Sequence, residues 1–157
     1  MRRSSLVLAF VASFALAGTA LAGSATLKTF GNGDVTITGV DSATIVNEVG
    51  EYGGVYINSK SQSGKALSEV VFQFRSTGDI AGGAPRFSLP IDTDGKGKTV
   101  EGYAFMDVNA CGGNVLVSTQ NPVCMVYFAN EPTAYANWAA FAAAHPTWRT
   151  APGAIPF

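Results

Sequence analysis

The chain has 157 residues, ten Lys and Arg against eleven Asp and Glu, and a net charge of −1, a length that suits one domain able to bury its own core. Lys28, Lys60, Lys65, Arg75, Arg86, Lys96, Lys98 and Arg149 are scattered, so no basic stripe is available and a nucleic-acid partner is not expected. One histidine and two cysteines are too few for the ligand sets of zinc enzymes and zinc modules.

The N-terminus carries Arg2 and Arg3, then an apolar run from Leu6 to Ala17 with Ser13 as its one polar interruption, then Ala20-Leu21-Ala22 before Gly23. A basic start, a short apolar centre and small residues in an A-x-A arrangement are the parts of a secretory signal peptide. A dozen apolar residues fall short of the ~20 that a helix needs to cross a bilayer. Residues 1–22 are read as a cleaved signal and residues 23–157 as a single extracytoplasmic, secreted or cell-surface domain with no membrane span. Loss of Arg2 and Arg3 leaves eight basic and eleven acidic side chains, a mildly acidic domain.

From Leu27 to Phe128 short apolar-alternating runs are separated by Gly, Asn, Asp and Pro, the pattern of an antiparallel β domain. Strands are predicted over Val35–Thr38, Ala43–Val49 and Tyr52–Asn58, with Ser59–Gly64 as an exposed loop. Val70 to Arg75 puts Val70, Phe72 and Phe74 on one face, which is core, and Gln73 and Arg75 on the other. Phe87, Leu89 and Ile91 alternate with Arg86, Ser88 and Pro90. Pro90 cannot donate to a ladder, which places that strand at an edge or near its end. Asp92 to Lys98 turns into a strand over Thr99–Val108. Val115–Val117 and Cys124–Phe128 are predicted to pair as a hairpin clipped by a disulfide between Cys111 and Cys124, the one pair of cysteines in an oxidising compartment. A bridge closing a loop of that length stabilises by about 3 kcal/mol in the chain-entropy view.

Thr133 to Ala144 is alanine-rich, follows Pro132 and stops at His145-Pro146, which predicts a helix of about three turns. Tyr135, Trp138, Ala142 and His145 share the face that should dock on a sheet, with Phe141 beside them. The opposite face, Ala136, Ala140 and Ala143, has no charge to wet it. Ala154-Ile155-Pro156-Phe157 ends the chain in apolar residues, read either as a tail folded back over the helix or as a point of truncation within a longer protein. The fold class expected is a mostly β domain, an antiparallel β-sandwich or a β-rich α+β arrangement, with one C-terminal α-helix.

Catalytic signatures are thin. No G-x-S-x-G elbow is present, and the lone His145 lies at a helix end, where unpaired carbonyls and the negative end of the dipole would hold it. Glu48, Glu51, Glu69, Glu101 and Asp107 could in principle supply a glycosidase pair, but nothing in their spacing selects two of them. Asp92-Thr93-Asp94-Gly95-Lys96-Gly97-Lys98 resembles the calcium loops of EF-hands, in which alternating oxygen ligands converge around a glycine. Lys96 stands where an oxygen ligand belongs and Tyr103 where a bidentate Glu belongs. The favoured reading is a glycine-rich hairpin turn in which Asp92 and Asp94 face Lys96 and Lys98 as exposed, weak ion pairs, with Asp92 and Asp94 as weak calcium candidates and no cofactor.

Aromatic residues offer a different possibility, beside the plainer readings that the tyrosines of one strand cover the core edge and that Gly53-Gly54 is a bulge. Tyr52, Gly54 and Tyr56 fall on one face of an extended segment with the tyrosines ~13 Å apart, and Trp148 could be a third member. Flat aromatic faces bury the apolar C–H surface of sugar rings while phenol tips reach water. The expected function is a non-catalytic binding module for an extracellular carbohydrate or similar ligand. The alternative is a structural or surface-assembly protein whose alanine-rich helix and apolar C-terminus meet a protein partner, and a glycosidase-type hydrolase stands third.

Overall fold

Period-two alternation makes strands, and in the computed structural model it makes twelve of them among the described residues, 10–15, 26–39, 41–58, 63–77, 85–113, 116–152 and 154–156. In chain order these are β1 (Phe10–Ala15), β2 (Thr26–Gly31), β3 (Asp34–Ile37), β4 (Ser42–Asn47), β5 (Gly53–Asn58), β6 (Gln73–Ser76), β7 (Arg86–Asp92), β8 (Gly102–Asp107), β9 (Leu116–Ser118), β10 (Tyr127–Phe128), β11 (Arg149–Thr150) and β12 (Ala154–Pro156). One helix, α1 (Trp138–Ala144), precedes β11. Among the described residues the chain is mostly β with a single, C-terminal α-helix, and the strand pairings are antiparallel.

The strands form a five-stranded sheet in the order β3-β4-β1-β6-β9, a four-stranded sheet β10-β8-β7-β11 and a three-stranded sheet β12-β5-β2. All three contribute to one core: Ala43, Ile45 and Phe74 from the first, Phe87, Leu89, Ile91, Ala104 and Met106 from the second, Val55 and Ile57 from the third. Phe72, just before β6, stacks on Phe87 with ring centroids 3.7 Å apart and joins two of the sheets. Phe10–Ala15, inside the stretch read as the signal's apolar centre, runs as β1 between β4 and β6. The cleavage residues Ala20, Ala22 and Gly23 lie outside the described residues, as do 59–62 of the predicted loop.

The Cys111–Cys124 disulfide is present, with Cα atoms 3.9 Å apart and both residues buried. The hairpin expected around it is not. Leu116–Ser118 pairs with Gln73–Arg75 of β6, whereas Tyr127–Phe128 pairs with Ala104–Phe105 of β8, so the two segments enter different sheets. The bridge ties the crossing between them. Pro90 sits inside β7, opposite Tyr103. Its carbonyl accepts from Ala151 N–H, so its missing donor points toward the short β11 side, near the end of that ladder.

The helix is shorter than expected at its start. Tyr135 exchanges both backbone hydrogen bonds with Val126, which holds this part of the chain extended, and Asn137 caps α1 by accepting from Ala140 N–H at 2.9 Å. Trp138 and Phe141 are buried, and Trp138 Nε1 donates to the Leu67 carbonyl at 2.8 Å. Ala136 and Ala143 are exposed and Ala140 half-buried. Ala154–Pro156 does not lie over them; it pairs along β5, from Ala154↔Asn58 to Pro156↔Tyr56.

Candidate functional site

Of the tyrosines singled out in the sequence, Tyr56 lies within β5 and Tyr52 on the turn that precedes it. Tyr52 is 65% exposed immediately before β5. Its backbone is pinned: its carbonyl accepts from Asn32 and Gly33, and its N–H donates to Asn32 Oδ1 at 2.9 Å. Gly31 makes that approach possible, because a Cβ there would fall 2.2 Å from the Tyr52 oxygen and its φ is +94°. Tyr56 is half-buried, its ring 4.5 Å from that of Phe30 on β2, and Phe30 lies opposite Gly54. The pair covers the glycine, so Tyr56 is partly committed to packing.

Trp148 belongs to another group. It stacks on His145 at 3.6 Å between centroids and lies 5.0 Å from Phe128, part of the cluster behind α1. His145 is held there by Tyr135 Oη at 2.9 Å and Glu131 Oε1 at 3.3 Å rather than by helix carbonyls. Tyr135 Oη donates to Glu131 Oε2 at 2.5 Å. That carboxylate bond, then burial and the Glu131 charge, push the Tyr135 phenol above its ordinary pKa. The set fastens the segment before α1 to the end of the helix.

A second aromatic face, missed in the sequence, is built on β8 and β10. Along β8, Gly102, Ala104 and Met106 point into the core, so Tyr103, Phe105 and Asp107 point away from it. Tyr127 stands directly opposite Phe105 across the ladder. Tyr103 is 36% exposed, Tyr127 43% and Met125 38%. The Tyr103 and Phe105 rings are near-parallel with centroids 6.4 Å apart, and Arg86 Cζ lies 4.5 Å above the Phe105 ring. Arg86 is opposite Asp107 in the β7–β8 register. The result is a row of ring faces on rigid strands, with a guanidinium and a carboxylate at one end. The signal available in the sequence was the alternation Tyr103-x-Phe105-x-Asp107.

The Asp92–Lys98 turn is a self-satisfied loop. Asp92 is fully buried; its Oδ1 accepts from Gly95 N–H at 2.8 Å and its Oδ2 from Lys98 at 2.6 Å and Thr99 at 3.2 Å. Burial opposes its charge, but the N–H groups of Lys98 and Thr99, the Asp94 side chain and Gly95 N–H outweigh it and lower the pKa to about 2. Asp94 accepts from Lys96 N–H at 2.9 Å and pairs with Lys96 Nζ at 2.6 Å at the surface. Glu101, not singled out for this loop in the sequence, brings a third carboxylate within 4.8 Å of the other two. Its oxygens accept from Thr93 N–H, Thr93 Oγ1, Asp94 N–H and Thr99 Oγ1, and those bonds, the Thr93 hydroxyl first, hold its carboxyl below the usual range. The oxygens a cation would need are engaged by the loop's own N–H and O–H groups.

No family model, curated protein or solved structure matches the chain. The functional reading therefore rests on this chain's own residues. Among the described residues, no helix is long and apolar enough to cross a membrane.

Proposed function

We propose that the protein is exported, loses residues 1–22 and works as a non-catalytic binding module for an extracellular carbohydrate, held on the outer face of β8 and β10. The observation that carries this reading is the outward row of exposed Tyr103 and Tyr127 with half-buried Phe105 between them and Arg86 stacked on Phe105. Ring faces exposed on paired strands lose little side-chain entropy on binding and present apolar area to sugar C–H surfaces. Arg86 and Asp107 add a donor and an acceptor for hydroxyls at the edge. Tyr52, on its pinned turn beside another sheet, is the one tyrosine of the first-named pair left largely open to solvent. The disulfide suits an oxidising compartment and supports the export reading. A glycan panel probed with the oxidised, exported protein tests it: saturable binding to one polysaccharide class is expected, and binding to none would sink the reading.

The surface-assembly reading draws on the alanines of α1 and the segment before it, since Ala143 and Ala136 are exposed while Ala154–Pro156 is engaged along β5. Concentration-dependent sedimentation distinguishes it, because a helix-mediated assembly predicts oligomers that Ala143→Glu disrupts.

A further inference from the structure

The strand β1 lies between two strands that do not pair with each other. With β4 it forms a six-residue ladder from Phe10↔Asn47 to Ala15↔Ser42, and with β6 it shares Phe14↔Ser76 and Ala15↔Arg75. These are residues of the apolar run on which the export reading rests, and the inference depends on that reading. Cleavage before Gly23 removes the middle of a five-stranded sheet and leaves a gap two strand spacings wide, about 9–10 Å. Backbone donors and acceptors of Ser42–Asn47 and of Arg75–Ser76 then face the gap, above the buried side chains of Ala43, Ile45 and Phe74.

Closing the gap would have to carry β3 and β4 toward β6 by about one strand spacing, about 5 Å. The turn entering β3 resists this, being tied to the neighbouring sheet through the Asn32 and Gly33 bonds to Tyr52. An edge left open in mid-sheet is instead a template for another strand. The other described strands of the chain are already paired, so a second copy has none of them to spare. Ser76 Oγ, on the β6 side of this slot, is buried with no hydrogen-bond partner.

We propose that β4 and β6 form a strand-accepting slot, filled by residues 10–15 in the uncut chain and, once these are removed, by an extended, uncharged apolar segment of a different polypeptide, antiparallel to both. The occupant has the chemistry of Phe10–Ala15 itself: apolar and small residues over six positions, no proline, and a full set of backbone N–H groups.

The test starts from the folded, oxidised full-length chain carrying a protease site in place of residues 18–22. After cutting, a fluorescently labelled peptide of residues 9–16 is added and its anisotropy followed, with amide exchange of residues 42–47 and 75–76 measured with and without peptide. Saturable one-to-one uptake, slower exchange at both segments, and at least tenfold weaker uptake of the Ala12→Pro peptide are expected. Slow exchange at both segments without peptide, and with the cut fragment gone, would mean the sheet has closed and the proposal is wrong. Dimerisation of the cut protein that excludes the peptide would make the occupant a second copy and overturn the partner named here. N-terminal sequencing of exported protein is read separately: an intact Met1 ends the export reading while leaving the peptide result to judge the slot.

Discussion

Replacing Asp92 by Asn tests whether the β7–β8 turn is held by one buried carboxylate. The substitution keeps the shape and leaves one oxygen for Gly95 N–H, but turns an amide NH2 toward the N–H groups of Lys98 and Thr99, which Asp92 Oδ2 accepts at 2.6 and 3.2 Å. Hydrogen bonds to a charged group contribute about 1.5–3 kcal/mol each. With the Thr99 bond the weaker of the two, the expected loss is about 3 kcal/mol, or roughly 10 °C in Tm for a domain of this size. The pH dependence gives a second readout. The folded pKa of Asp92 is about 2, below its unfolded value of about 3.9. Its contribution is therefore whole above pH ~4 and is lost as pH falls through 2, so the gap between wild type and Asp92→Asn should narrow over that window. Thermal melts followed by circular dichroism in chelator, from pH 7 down to 2, supply both numbers. A variant melting within 2 °C of wild type at pH 7 would refute the reasoning. So would a calcium-dependent rise of several degrees in the wild type, which would mean the loop's oxygens are available to a cation.

Removing the disulfide as the Cys111→Ala, Cys124→Ala pair should cost about 3 kcal/mol by urea unfolding, since the bridge closes a separation of 13 residues between two sheets. A loss under 1 kcal/mol would mean that the crossing is held by its packing alone. Glu131→Gln should bring the Tyr135 phenol back toward its ordinary pKa in a spectrophotometric titration, because the carboxylate bond is the main reason it is raised. No change would show that burial governs the phenol instead.

The parts of the fold legible in the sequence were those with a local physical cause. The Asp92–Lys98 turn, with glycines at φ +79° and +67°, joins two alternating strands as expected, from Arg86↔Asp107 to Ile91↔Gly102. Trp138 and Phe141 are buried because large aromatics at helical spacing face the core. The partners of β9 and β10 were not legible: strands close in sequence pair by default, and only the tertiary arrangement takes Leu116–Ser118 to β6. Helix length failed for the same reason, since the backbone pairing of Tyr135 with Val126 depends on β10 being nearby.

The aromatic face illustrates a different limit. Alternation divides Thr99–Val108 into two faces but does not say which one is wet when both are apolar. Large aromatics would ordinarily be assigned inward. Here the inward residues are Gly102 and Ala104, because the Phe128 ring fills that space: a Cβ on Gly102 would fall 2.4 Å from Phe128 Cζ. Small residues under an inward-pointing phenylalanine leave Tyr103 and Phe105 on the outside. Tyr52 is exposed, but local alternation holds no information on Phe30 engaging Tyr56 or on Trp148 stacking on His145.

The most direct test of the binding account is affinity electrophoresis through gels containing the polysaccharide that the glycan panel selects, run with wild type, Tyr103→Ala/Tyr127→Ala and Tyr135→Phe. The exposed tyrosines support no core, so the double variant should fold with an unchanged Tm and lose binding at least tenfold, about 1.4 kcal/mol. Tyr135→Phe, altered only in the half-buried group before α1, should migrate as wild type does. Full retardation of the Tyr103→Ala/Tyr127→Ala protein would contradict the account, because the ligand would then be held somewhere other than the face of β8 and β10.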